Sequence, residues 1–179
     1  MEESRHERWI KASISTAKFD PFMVPTIQGL GRLDISLIEQ DSAFLNNFDK
    51  NKDDINASLE LSDRITVSYL WVLGAYEAIR TMGQRIRENE NLVSEEMATS
   101  FRNVKNTFNR LRVPLAKMEA TRAHRNTDSH IAYPGLNLDI GISWKINEST
   151  FISRRELSDQ LLTLLEGQRV MQIAFSSNS

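Results

Sequence analysis

Residues 122–133 read RAHRNTDSHIAY, placing two arginines, two of the chain's three histidines, an aspartate and a tyrosine within twelve positions. Asp128, Ser129 and His130 are the residue types of a hydrolytic triad, but consecutive neighbours cannot reach the mutual geometry a triad needs. His124 and Asp128 lie four apart, so on a helix they would share a face and could hold a metal with His130. No HExxH-like pattern supplements them, and neither a metal nor another cofactor is expected. What remains is Arg125 and His130, four residues intervening. A histidine titrates near neutral pH and moves protons. An arginine offers a planar, permanently charged fork to phosphate oxygens. Together they suit metal-free RNA cleavage: one group handles the proton of the 2′-hydroxyl or of the leaving oxygen, the other stabilises charge on phosphorus. One histidine cannot easily be base and acid at once, so a symmetric dimer joining two motifs is the natural arrangement. On a straight helix five positions are about 140° apart. Convergence therefore asks for a break at Asn126–Asp128, and those residue types favour one. The purely structural alternative pairs Arg125 with Asp128 and packs His130 near a helix end.

The charge distribution supports a polyanion. From Arg102 to Arg125 there are seven basic residues (Arg102, Lys105, Arg110, Arg112, Lys117, Arg122, Arg125) and one acid, Glu119, in a chain whose net charge is −2. Such a stripe suits a nucleic acid, or equally an acidic partner surface. The chain has 179 residues, 40% hydrophobic and 26% charged, which is one domain's length and a globular composition. It contains no cysteine, excluding disulfides, thiolate metal sites and a cysteine nucleophile. The start, MEESRHERWI, lacks the apolar core of a secretory signal. The most apolar run, Ile65 to Ile79, is interrupted by Thr66, Ser68, Gly74 and Glu77 and falls short of a membrane span. A soluble cytoplasmic protein with no membrane contact is expected.

The elements that must position the motif are mostly helical. Residues 1–59 read as N-terminal helices and a loop: weak helix to Phe19, a loop over 20–31 broken by Pro21, Pro25, Gly29 and Gly31, and helix from Leu33 to Phe48. The GLG within that loop lacks the third glycine and the βαβ setting of a nucleotide loop. NFDKNKDDIN is a charged connector. Residues 60–133 hold two long core helices. In the first, about Leu61 to Glu90, Ile65, Tyr69, Val72, Tyr76, Ile79, Met82 and Ile86 recur at helical spacing, and Trp71 adds to an apolar surround. Tyr69, Trp71 and Tyr76 thus read as core, and Glu77 with Arg80 as an intrahelical ion pair that could also orient Arg125 or His130. The second opens at Ser94-Glu95-Glu96, is kinked or split by Pro114, and resumes through Met118 towards Tyr133. Leu136 to Ile146 then alternates as a strand, and Thr150 to Ile152 returns, giving a β-hairpin at about 136–152. Ser153 to Glu156 is a capping box opening a helix to about Gln168. The expected fold is mainly α: a helical bundle with a small β-hairpin before the C-terminal helix.

In that helical setting the RNTDSH hexamer resembles the HEPN superfamily, small helical bundles marked by Arg, four to six residues, then His, with a polar residue often following the arginine. Here Asn126 follows Arg125 and the spacer is four. The resemblance covers the hexamer and its helical context, and implies a dimeric, metal-independent endoribonuclease of a toxin–antitoxin or anti-phage defence system. It would assign phosphate contact to Arg125, proton transfer to His130 and orientation to Asn126, with Arg112, Lys117, Arg122 and His124 on the RNA backbone. Some toxins of this family carry a modified tyrosine two residues after the histidine. Tyr133 lies three after His130, so that role is not transferred. The implied partners are RNA, a second copy and an antitoxin or other protein. The rival expectation is a non-catalytic helical module of a defence or regulatory complex that uses the basic face. A small-molecule-binding helical domain is a weaker third.

Overall fold

The computed structural model describes residues 3–48 and 54–176, with side chains through Met171. Five long helices and a small sheet appear among them. They are α1 (Arg5–Ile14), α2 (Met23–Asn46), α3 (Ile55–Glu88), α4 (Glu95–Lys117), strands β1 (Tyr133–Asn137), β2 (Gly141–Lys145) and β3 (Phe151–Ser153), and α5 (Arg154–Ser176). Single 3-10 turns span Ser15–Lys18 and Arg122–His124. The fold is therefore mainly α, a helical bundle carrying a small antiparallel sheet ahead of its last helix. No helix among the described residues is long and apolar enough to cross a membrane. The charged connector lies partly outside them, at 49–53.

Helix boundaries follow from caps. Ser4 and Glu7 form a reciprocal capping box at α1, Asp54 caps α3, and Ser94 accepts from the Met97 amide at α4. Ser153 and Glu156 form the box expected at α5: the Ser153 amide donates to Glu156 and the Glu156 amide to the Ser153 hydroxyl. That helix runs beyond Gln168 to Ser176.

Three expectations are corrected. Residues 23–31 are the first turns of α2 rather than a loop. Pro25 is its third residue, where the missing N–H has no partner to lose. Gly31 is needed for contact: a Cβ there would lie 2.6 Å from Cγ of Trp9. The alternating run 136–146 divides into two strands, turning where the Asp139 amide donates to Asn137 Oδ1 and Gly141 takes φ +90°. The result is a three-stranded meander, β1-β2-β3, with Leu136 opposite Ile142 and Trp144 opposite Ile152. Finally, α4 continues past Pro114 and stops at Lys117, with Met118 left-handed at φ 55°. It does not reach Tyr133.

The helices enclose one core. Trp9, Trp71, Trp144, Phe101 and Phe108 are fully buried. Trp71 and Phe108 approach to 6.3 Å between α3 and α4, and the Trp71 indole donates to the Leu30 carbonyl. Within the core lies an ionic centre. Asp34 of α2, fully buried, accepts from Arg154 Nη1 at 2.6 Å, Arg5 Nε at 2.7 Å and Trp9 Nε1 at 3.0 Å. Burial opposes its charge, yet Arg5, Ser158 and Arg154 hold the carboxyl below its usual range. One helical stretch further, Asp41 sits 3.7 Å from Arg154 Nη2 and 4.0 Å from Arg64 Nε. There desolvation prevails over the two arginines and raises the carboxyl.

Candidate nucleic-acid interface

The chain leaves helical geometry at Met118 and winds through residues 119–132 before entering β1. Local hydrogen bonds fix this crossing. The His124 amide donates to the Thr121 carbonyl, and the Thr127 and Asp128 amides both donate to the His124 carbonyl. The anchor is Asp128. Arg110 of α4 grips its carboxylate with two bonds of 2.8 and 2.9 Å, and Asn147 Nδ2 donates to the same group at 2.9 Å. Such a two-pronged pair is a strong, directional contact. The Arg110 hydrogen bonds, opposed by burial and aided by Asn147, lower the Asp128 carboxyl to about 2. The Ser129 amide then reaches the Ile146 carbonyl at 2.6 Å, binding the segment to the sheet.

Two adjoining grooves flank the anchored segment. The first, about 730 Å³, runs from Tyr76 on α3 across the α4 face to His124 and Arg125. Arg112, Lys117 and Arg122 share its wall. The second, about 740 Å³, lies between Arg110 and the β2–β3 turn and includes Asn126 and Ser129. His124 and Arg125 line both, so they stand where the grooves meet.

Of the residues singled out from sequence, Arg112, Lys117, Arg122, His124 and Arg125 are brought together in one groove, and Asn126 lines the other. His130 is exposed on the approach to β1 and lines neither. The break at Asn126–Asp128 exists, as turns rather than a new helix. Arg125 is not the partner of Asp128; Arg110 is, eighteen residues away. Glu77 pairs with Arg80 at 2.6 Å and comes within 4.0 Å of Arg112.

Four further residues were not signalled by the motif: Tyr76, Asn106, Asn109 and Thr121 line the first groove. Tyr76 is half-buried and packs against the core as expected, but it also lines the groove, with the Arg112 guanidinium 5.1 Å from its ring centre. Asn106, Asn109 and Val113 recur every three or four residues and so share one face of α4. That spacing was available in the sequence, but nothing local said that the face looks onto a cavity. The Thr121 hydroxyl is buried and has no hydrogen-bond partner among the described residues. Among the described residues, no group of three or more His, Asp and Glu side chains is placed to hold a metal ion. No family model matches the chain, and neither does any curated protein or any solved structure.

Proposed function

We propose that this protein binds single-stranded RNA along the two joined grooves and cleaves it without a metal, as a HEPN-like endoribonuclease of a toxin–antitoxin or anti-phage system. The supporting observation is the meeting of the grooves at His124 and Arg125, with Arg112, Lys117 and Arg122 alongside. Lysines and arginines along a groove follow the strand's phosphates. Arg125 contacts the scissile phosphate and Asn126 orients it. A base takes the 2′-hydroxyl proton, the 2′-oxygen bonds to phosphorus, and the bond to the 5′-oxygen breaks as an acid protonates that oxygen. The products are a 2′,3′-cyclic phosphate and a 5′-hydroxyl. Two histidines are needed. His124 serves from within the groove, and His130, exposed on its own chain, serves a second copy across a homodimer.

A second reading, RNA or protein binding without cleavage as a module of a defence or regulatory complex, is favoured by one observation: His130 lines neither groove. Digestion of total RNA in excess EDTA separates the two. Cleavage by the wild type, lost in Arg125→Ala and His130→Ala while both remain folded, supports the enzyme. Binding without cleavage leaves the module, and cleavage unaffected by His130→Ala overturns the assigned catalytic site. RNA binding itself is tested by salt: affinity should fall steeply with ionic strength, and Arg122→Ala should reduce the log–log slope by about 0.7. A salt-independent association would remove RNA from both readings.

A further inference from the structure

The first groove is chemically divided. Its end near the motif turn is cationic, with Lys117, Arg122, His124 and Arg125. Between α3 and α4 the groove offers Tyr76, Asn106 and Asn109, with Arg112 over the Tyr76 ring, and Thr121 joins this part to Arg122. A strand held by phosphate contacts alone has no use for two carboxamides and a hydroxyl there. We propose that this part is a nucleobase subsite that selects a purine, so that the groove holds one purine nucleotide of the strand with its phosphate towards Arg122 and Arg125. This rests on the RNA-binding reading above and adds base selectivity to it.

Each asparagine carboxamide presents a donor beside an acceptor. Asn106 and Asn109 stand one helical turn apart, and neither side chain is engaged in a hydrogen bond among the described residues. A purine carries a donor–acceptor pair on each of two edges: N6 with N1 and N6 with N7 in adenine, N1 with O6 and N2 with N3 in guanine. It can therefore meet both carboxamides. Cytosine offers one such edge, and the single N3–H of uracil cannot donate on two sides. The Arg112 guanidinium, placed over the Tyr76 ring at 5.1 Å, is a planar cation on which a purine stacks. Thr121 supplies an independent sign. Its residue is 8% exposed, it lines the groove, and its hydroxyl lacks a partner. A buried polar atom left unpaired is costly to the folded chain, and a ligand group that reaches it removes that cost.

The test measures equilibrium binding of short labelled oligoadenylate, oligocytidylate and oligouridylate, each 2′-O-methylated so that it lacks the attacking hydroxyl, to the full chain at fixed salt. Oligoadenylate should bind at least about tenfold more tightly than either pyrimidine strand, one good bidentate pair being enough for that ratio. Asn106→Ala with Asn109→Ala should erase the preference and leave pyrimidine binding unchanged. Both sites are on the solvent side of α4, and alanine favours helix, so the fold survives. Thr121→Val should weaken oligoadenylate several-fold without lowering the unfolding midpoint, since the orphaned hydroxyl goes. Equal binding of all three strands, or a preference intact in the double alanine variant, overturns the subsite and leaves RNA binding standing. No binding of any strand overturns both.

Discussion

Asp128→Asn is the most informative single change at the motif turn. The carboxylate is 2% exposed and takes four hydrogen bonds, two from Arg110, one from Asn147 and a longer one from the Thr127 hydroxyl. An asparagine there keeps the shape but turns one oxygen into an N–H2, which must face either Arg110 or Asn147, both donors. The charge-dependent part follows from linkage. The folded carboxyl lies at about 2 against 3.8 for the ordinary group. At about 1.4 kcal/mol per unit, this bounds the contribution at about 2.5 kcal/mol. Arg110 remains 26% exposed, so solvent screening reduces the figure to about 1.5 kcal/mol. Because the folded value is depressed, this stability is complete above the unfolded value and is lost as pH falls towards the folded one. Protonated Asp128 resembles asparagine, so the two proteins should converge in acid. Urea denaturation at neutral pH should show Asp128→Asn less stable by about 1.5 kcal/mol, a melting shift of about 3–6 °C. The gap should persist to about pH 4 and halve by about pH 3. A gap equal at pH 7 and pH 3, or none at pH 7, would refute the assigned role of the Arg110–Asp128 pair.

Two further predictions concern the core. Asp34→Ala leaves Arg154 and the Trp9 indole without their buried acceptor, and should cost about 3–5 kcal/mol in chemical denaturation. A loss under about 1 kcal/mol would mean that Asp41 replaces Asp34 as counter-ion. Gly31→Ala and Gly29→Ala should move stability in opposite directions. The first drives a methyl to 2.6 Å from Trp9 and should cost about 1–3 kcal/mol. The second meets nothing nearer than Arg32 Nη2 at 4.0 Å and should gain up to about 1 kcal/mol by helix propensity. Melting curves of both variants check the pair, and a shared sign would contradict the packing at Gly31.

The helices were legible where local chemistry specifies them. Ser94 and the Ser153–Glu156 box mark starts that need only neighbouring residues, and Trp71 sat correctly at the centre of its apolar surround. The misses arose where a distant partner decides. Gly29 and Gly31 look like loop residues until Trp9 is known to need the space above one of them. The first turns of α3 look apolar, yet Arg64 and Ser68 are buried there alongside Ala57, Arg64 because α2 brings Asp41 within 4.0 Å. At the motif, the sequence identified the cationic residues that gather in one groove. It could not foresee that Asp128 would be taken by Arg110, nor that Tyr76 of α3 would floor the cavity, because both depend on how α3, α4 and the sheet pack.

The ionic centre at Asp34 also sets a timetable for synthesis. Asp34 and Arg154 are 120 residues apart, and Arg5 meets Ser158 and Asp159 across still longer separations. At ribosomal rates of about 5–20 residues per second, Asp34 waits roughly 6–24 seconds for its buried counter-ion to be made. During that interval Arg5 and Trp9 of α1 can already reach the carboxylate, but the side that Arg154 later covers stays open to water. Closure of the core is thus coupled to the arrival of α5, and a nascent chain that stalls before Arg154 exposes the Trp9 face to chaperones and proteases.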